Sequence, residues 1–195
     1  MASISTLSAL RIIESKNIRF LTEREARNLF GFENINSLYK FLQRLEKNKV
    51  IRRVSKGKYV TEHVGDFEVA NFIVQPSYIS FESALSYHGV LSQFPYTVTS
   101  ATTGKTKSVL VGKKEFEFCH IAAKMFCGYL KDKNFLIADR EKSLIDIAYF
   151  SMKGLKGIDW DELDLTELDK NKLEKYIVET KVKDLGHFMT VKGII

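Results

Sequence analysis

The 195 residues carry 30 Lys and Arg against 24 Asp and Glu, a formal charge of +6, and 45% of them are apolar. That balance belongs to a globular chain and excludes a disordered one. No apolar run approaches the roughly 20 residues that span a bilayer, and the length suits one large domain or two small ones.

The positive charge is concentrated at the front. Residues 1–62 hold thirteen Lys/Arg and six Asp/Glu, a net of +7, whereas residues 63–195 hold seventeen and eighteen, a net of −1. A small basic module favours a polyanion as partner. The opening MASISTLSALRIIESKN has no basic leader followed by an apolar block, so no export signal is expected. The expectation is a cytoplasmic protein, with Cys119 and Cys127 as reduced thiols.

In chain order, Leu7, Leu10 and Ile13 suggest a first helix capped by Ser5. Thr22 and Glu25 form a capping box for a second helix, Glu23 to Phe30, which Gly31 stops. Asn34 or Asn36 caps a third helix, where Leu38, Phe41, Leu42 and Leu45 keep the spacing of one buried stripe and Asn48 marks the end. Then VIRRVSKGKYV, Val50 to Val60, reads as two strand segments around a turn at Gly57. This order predicts a winged helix-turn-helix over residues 1–63. The face of the third helix opposite its apolar stripe offers Asn36, Ser37, Tyr39, Lys40, Gln43, Arg44 and Lys47 to base edges and phosphates. Arg52, Arg53, Lys56 and Lys58 place positive charge on the wing. Against this stands the plain reading that a run of charges is a solvated face.

Residues 64–195 form the second expected domain. Asp66 caps a helix through FEVANFIV that ends before Pro76. In YISFESALSYHG, serine, histidine and glutamate raise the question of a hydrolytic triad. No strained G-x-S-x-G turn surrounds Ser80, Ser83 or Ser86. The stretch reads instead as a short helix, with Ser80 as cap, Glu82 in the first turn, Phe81, Ala84 and Leu85 inward, and Gly89 as stop. His88 is then a structural histidine near the helix end. TVTSATT and KSVLV are strands separated by a turn at Gly104-Lys105. KEFEFCHIA alternates Glu115 and Glu117 outward with Phe116 and Phe118 inward, and Phe135 to Ala138 is a further strand. A helix from Asp139 or Arg140 to Ser151 follows, then an acidic turn and a helix from about Thr166 to Lys181. The class is α+β: a winged helix, then a small α/β domain with a mostly antiparallel sheet flanked by helices.

No cofactor, metal or catalytic site is expected. Gly104-Lys105-Thr106 lacks the glycine a phosphate loop requires, since Thr99 stands there. Cys119, His120 and Cys127 do not have the paired spacing of structural zinc, and Asp139 to Lys142 reads as a capped helix start rather than nuclease carboxylates.

The blocks SYISFESALSYHGVL, TVTSATTGKTK, EFEFCHI and REKSLIDIAY, in this order across about residues 67–152, resemble the AbiEi family of antitoxins from the abortive-infection E type of bacterial toxin–antitoxin system. The front module, including KGKYV, is similar to the winged helix those antitoxins place first. The resemblance implies a repressor that binds inverted repeats of double-stranded operator DNA. It also implies an antitoxin whose second domain counteracts a nucleotidyltransferase-like toxin, without need of a stable complex. The acidic stretch from Asp159 to Asp169 departs from longer members of the family. The rival expectations are a protein-interaction module using the winged helix as scaffold, and a nuclease using Glu82 or Glu141.

Overall fold

The computed structural model describes residues 4–195. The chain is α+β, with eight α-helices among the described residues and two sheets. It divides into two compact units, one ending at Ile73 and the other spanning Val74–Ile195.

The first unit opens with α1 (Thr6–Ser15), whose cap Ser5 accepts the Ser8 N–H at 3.1 Å. The helix buries Ala9 and Ile13, while Leu7 is 57% exposed. A row of three-residue steps lags behind 3.6 residues per turn, so the expected Leu7–Leu10–Ile13 stripe drifts off the buried face. The short β1 (Phe20–Thr22), absent from the sequence reading, leads into α2 (Glu23–Phe30). The capping box at Thr22 and Glu25 is formed, and Gly31 closes α2 in the left-handed region at φ +69°. Next come α3 (Ile35–Lys47), β2 (Arg52–Ser55) and β3 (Lys58–Val60), with Gly57 at φ +69° between the strands. The three strands form an antiparallel sheet in the order β1-β3-β2. Ala26, Phe30, Leu38, Phe41, Leu42, Leu45 and Tyr59 share one core with Ala9 and Ile13.

α4 (Asp66–Ile73) belongs to this unit, which therefore extends past residue 63. Its Phe72 ring lies 5.0 Å from that of Phe20. Glu68, only 8% exposed, receives both guanidinium arms of Arg19 at 2.5 and 2.7 Å and the Gly65 N–H at 2.9 Å. A carboxylate is tolerated so far from water because a two-pronged arginine matches both its oxygens. Asp66 is the first helical residue rather than a cap, and Glu68 supplies the acceptor at the helix start.

The second unit is built from β4 (Ser77–Ile79), α5 (Phe81–Tyr87), β5 (Val98–Thr102), β6 (Lys107–Val111), β7 (Lys114–His120), β8 (Tyr129–Asp132), β9 (Phe135–Ala138), α6 (Arg140–Met152), α7 (Lys170–Thr180) and α8 (Leu185–Val191). Its six strands run in the order β6-β7-β5-β4-β9-β8. The sheet is mixed: three pairings are antiparallel, while β4 with β9 and β5 with β7 are parallel. Because β7 lies between β5 and β6, Gly104-Lys105 does not turn a hairpin. The tight turn falls at Gly112, φ +61°, between β6 and β7. Every residue of central β5 is buried, the mark of a strand covered on both faces.

The stretch around Ser80 is a helix, with one departure. Ser80 occupies the cap position of α5, but its hydroxyl donates to Asp146 Oδ2 at 2.7 Å instead of capping. Tyr78 donates to the same oxygen at 2.9 Å, and the Lys142 ammonium pairs with Asp146 Oδ1. Tyr78, Ser80, Lys142 and Asp146 are all fully buried. His88 ends α5, with Nε2 2.8 Å from the Ala138 carbonyl, and Gly89 follows at φ +75°.

Asp139 caps α6 through the Lys142 N–H at 2.8 Å and also accepts from Tyr176 at 2.5 Å, tying α7 to the start of α6. Burial, and then that bond, raises the Tyr176 phenol well above its ordinary pKa. Gly128, at φ +68°, passes beneath this junction. A Cβ there would lie 2.8 Å from Lys142 Cγ and from Tyr176 Cζ. Gly128→Ala is expected to cost about 2–4 kcal/mol, from backbone strain plus overpacking. Gly154, at φ +67° with nothing within 4 Å of a Cβ, is the control. There alanine should cost only the left-handed penalty of about 1–2 kcal/mol. Urea unfolding followed by fluorescence of Trp160, the single tryptophan and part of the second unit, measures both; equal losses would contradict the packing account.

Candidate nucleic-acid interface

The exposed face of α3 starts from the cap of that helix. Asn34 Oδ1 accepts the N–H groups of Asn36 at 2.8 Å and Ser37 at 3.2 Å, fixing where the helix begins. Leu38, Phe41, Leu42 and Leu45 are buried, as their spacing predicts. Rings of Phe30 and Phe32 lie 4.8 and 4.9 Å from Phe41 and set α2 against α3. With the apolar stripe fixed, the 3.6-residue period turns Asn36, Lys40, Gln43 and Lys47 to the opposite side. All four are exposed. They form one polar row bearing two cations.

Tyr39 and Ser37, also exposed, flank this row on either side. A hydrogen bond from the Tyr39 phenol to the Glu23 carboxylate raises its pKa; burial and the Glu23 charge add to the rise, and the nearby Arg53 cation opposes it. Arg53 therefore stands beside α3. The Glu23 N–H donates to the Gly57 carbonyl at 2.8 Å, joining the start of α2 to the strand turn.

The remaining basic residues divide. Lys56 in the turn is exposed. Arg52 precedes Arg53 in a strand, so the two side chains leave opposite faces of the ribbon. Arg52 is half-buried and shares a surface depression with Glu46 and Glu62. The Lys58 ammonium donates to the carbonyls of Phe72 at 2.7 Å and Ile73 at 3.2 Å, closing the last turn of α4. It also lies 5.1 Å from the centroid of the Phe72 ring. Arg44 turns back along α3, donates to the Ile4 carbonyl and stacks over Phe41 with 5.3 Å to the centroid. Lys58 and Arg44 thus have structural uses that the sequence did not signal. Of the eleven candidates, Asn36, Ser37, Tyr39, Lys40, Gln43, Lys47, Arg53 and Lys56 are presented to solvent together with the third helix and its neighbouring turn. Two carboxylates that the sequence reading passed over belong to the same surface. Glu23 faces Tyr39, and Glu46 accepts the Arg53 N–H at 3.2 Å. Glu46 lies on the same helix as the exposed row, which is a local signal, whereas Glu23 starts the preceding helix and reaches the face only through the fold.

The carboxylates of the nuclease alternative are engaged elsewhere. Glu82 lies 3.5 Å from Lys156, and Glu141 is 3.0 Å from Lys172 and accepts the Asp169 N–H at 3.1 Å. Burial alone would raise the Glu141 carboxyl, but the Asp169 and Glu141 N–H groups and Lys172 outweigh it and hold the pKa below the ordinary carboxylate value. Ser80, Ser83 and Ser86 are buried. Cys119 and Cys127 are free thiols. Burial, reinforced by Glu117, pushes Cys119 up to about 12. No group of three or more His, Cys, Asp or Glu is disposed to hold a metal ion among the described residues. Among them, too, no helix is long and apolar enough to cross a membrane.

No protein-family model matches the chain, and no curated protein matches it.

Proposed function

We propose that the first unit is a winged helix-turn-helix that binds double-stranded DNA, and that the protein is a cytoplasmic repressor and antitoxin of the AbiEi kind. The observation that carries the reading is the row Asn36, Lys40, Gln43 and Lys47, exposed opposite the buried stripe of α3 and flanked by Arg53. In this reading α3 lies in the major groove. Asn36 and Gln43 offer paired donor and acceptor groups to adenine edges, and Lys40 offers a cation to guanine. The β2–β3 turn carries Arg53 and Lys56 to the backbone, where contacts set register without reading sequence. Arg44, Lys58 and Arg52 drop out of the contact set, Arg52 because it leaves the far face of the ribbon beside Glu46 and Glu62. The second unit counteracts a nucleotidyltransferase-like toxin, and that half of the proposal rests on the resemblance of its sequence blocks.

A gel-shift titration against the protein's own upstream DNA and a random duplex tests the reading. Gln43→Ala should narrow the gap between the two DNAs by about 1–3 kcal/mol, whereas Arg53→Ala should weaken both alike. Equal affinity of the wild type for the two duplexes would remove specific repression.

One observation favours a protein contact in addition. Phe94, Tyr96 and Leu110 of the second unit are 88%, 66% and 71% exposed, and the Tyr96 hydroxyl donates to the Lys113 carbonyl beside the β6–β7 turn. Phe94 and Tyr96, two residues apart, leave large apolar surface in water, and exposed apolar patches mark interaction surfaces. Co-purification with the product of the adjacent gene, lost on Phe94→Ser, would support that contact.

A further inference from the structure

The β6–β7 hairpin of the second unit carries charge that the function proposed above leaves unused. Residues 63–195 are near neutral as a whole, yet Gly104 to Lys114 hold four lysines and no acid. Beside them Phe94 and Tyr96 are 88% and 66% exposed. The register decides which of these side chains share a face. Val111 pairs with Lys114, and Lys107, Val109 and Val111 lie on one side of β6, so Lys107 and Lys114 leave the same face of the sheet. Tyr96 joins them: its hydroxyl donates to the Lys113 carbonyl, and the Lys114 ammonium lies 5.3 Å from the centroid of its ring. Glu115 and Glu117 leave the opposite face, where Thr97 and Lys156 donate to them at 3.1 and 2.7 Å. Leu110 pairs with Glu115 and leaves that opposite face too. Near Phe94 stands one carboxylate, Glu162, which accepts from Gln93 at 2.9 Å.

Open rings beside ammonium groups select a ligand with flat apolar surface and negative charge together. Unpaired nucleotides have both, since bases stack on aromatic rings while phosphates meet lysines. A duplex keeps its bases in the stack and offers the rings nothing. A protein partner would cover the rings but would have to bring acids of its own to answer the lysines. Bases that lie open are chiefly those of RNA loops and ends, which proteins take up by such stacking. We propose that this corner of the second unit binds single-stranded RNA, with bases on Phe94 and Tyr96 and the backbone along Lys107, Lys113 and Lys114. The site lies in a different unit from α3 and does not depend on the duplex-binding proposal.

The probe is a fluorescently labelled oligouridylate of about twelve nucleotides, titrated with the full-length protein by anisotropy. Saturable binding is expected, at least as tight as that of the matching oligothymidylate. Phe94→Ala and Tyr96→Ala should each weaken it about ten-fold. Lys113→Ala should flatten the salt dependence by about 0.7, the single-strand value for one phosphate contact. Leu110→Ser, on the opposite face, and Lys40→Ala, in the first unit, should leave oligouridylate binding unchanged. Phe94 is almost wholly exposed, so its variant keeps the test decisive even if Tyr96→Ala perturbs the turn. No saturable binding up to roughly 100 µM protein at about 50 mM salt overturns the site. So does binding that Lys40→Ala abolishes and Phe94→Ala spares, which would place it on the first unit. Tighter binding of oligothymidylate than of oligouridylate overturns the assignment to RNA. If the wild type ignores oligouridylate while Phe94→Ser breaks co-purification with the adjacent gene's product, the rings serve a protein and the proposal falls. If oligouridylate binds as expected but the protein shifts no duplex, the winged-helix reading fails while this site stands.

Discussion

Asp146→Ala should cost the second unit about 3–5 kcal/mol, the loss expected when one partner of a buried ion pair is removed. The carboxylate is the hub of a closed network. Oδ1 takes the Lys142 ammonium, and Oδ2 takes the hydroxyls of Tyr78 at 2.9 Å and Ser80 at 2.7 Å, with every member fully buried. Alanine strands one cation and two hydroxyl donors at once, and an unanswered buried donor costs about 1–3 kcal/mol even when neutral. Lys142→Met is expected to cost less, because the carboxylate keeps both hydroxyl bonds and the methionine chain fills much of the lysine's volume. Urea unfolding followed by Trp160 fluorescence reports both changes. A loss below about 1 kcal/mol for Asp146→Ala would mean that water reaches the network and the hub account is wrong.

This network shows where the sequence was legible and where it was not. Patterns confined to one helix could be read directly. The capping box at Thr22 and Glu25, the stop at Gly31 and the buried stripe from Leu38 to Leu45 all involve neighbours within a turn or two. The limits of α2 and of β6 and β9 follow from the same local rules. What depended on distant partners was misread or passed over. Ser80 looked like a helix cap because nothing near it in sequence competes for its hydroxyl; Asp146, far along the chain, does. Lys142 read as part of a capped helix start and Asp146 was passed over, although their i, i+4 spacing among Leu144, Ile145, Ile147 and Ala148 hinted at a pair taken into the core. Strand order was hidden too, since no local feature of β5 says that β7 rather than β6 will pair with it. β1, β4 and β8 are three or four residues long and gain their stability from partners rather than from propensity. Among the proposed DNA contacts the exposed row of α3 was legible for the same local reason. The carbonyls that engage Lys58 and Arg44 were not, because they come from α4 and from Ile4.

That division of the cations has a measurable consequence for DNA binding. Lys40, Lys47, Arg53 and Lys56 are the exposed members of the set. If each of these four displaces one condensed counterion from the phosphates, Lys40 from its place beside a guanine included, the logarithm of affinity should fall against the logarithm of salt with a slope of about −3.6, and affinity should drop roughly 10²-fold between about 50 and 200 mM. Replacing any one of the four by alanine should flatten the slope by about 1. Lys58→Met should leave the slope unchanged, because its ammonium closes α4 through the Phe72 and Ile73 carbonyls and is not offered to the duplex. Its effect should appear instead as a loss of about 1–3 kcal/mol in the stability of the first unit, as carbonyls lose a charged donor. Fluorescence anisotropy of labelled operator across a salt series, with thermal unfolding of each variant alongside, separates the two roles. If Lys58→Met flattens the slope as much as Lys40→Ala does, Lys58 contacts the backbone after all and its closure of α4 gives way on DNA. A slope near zero for the wild type would mean that the basic front face does not meet phosphate at all.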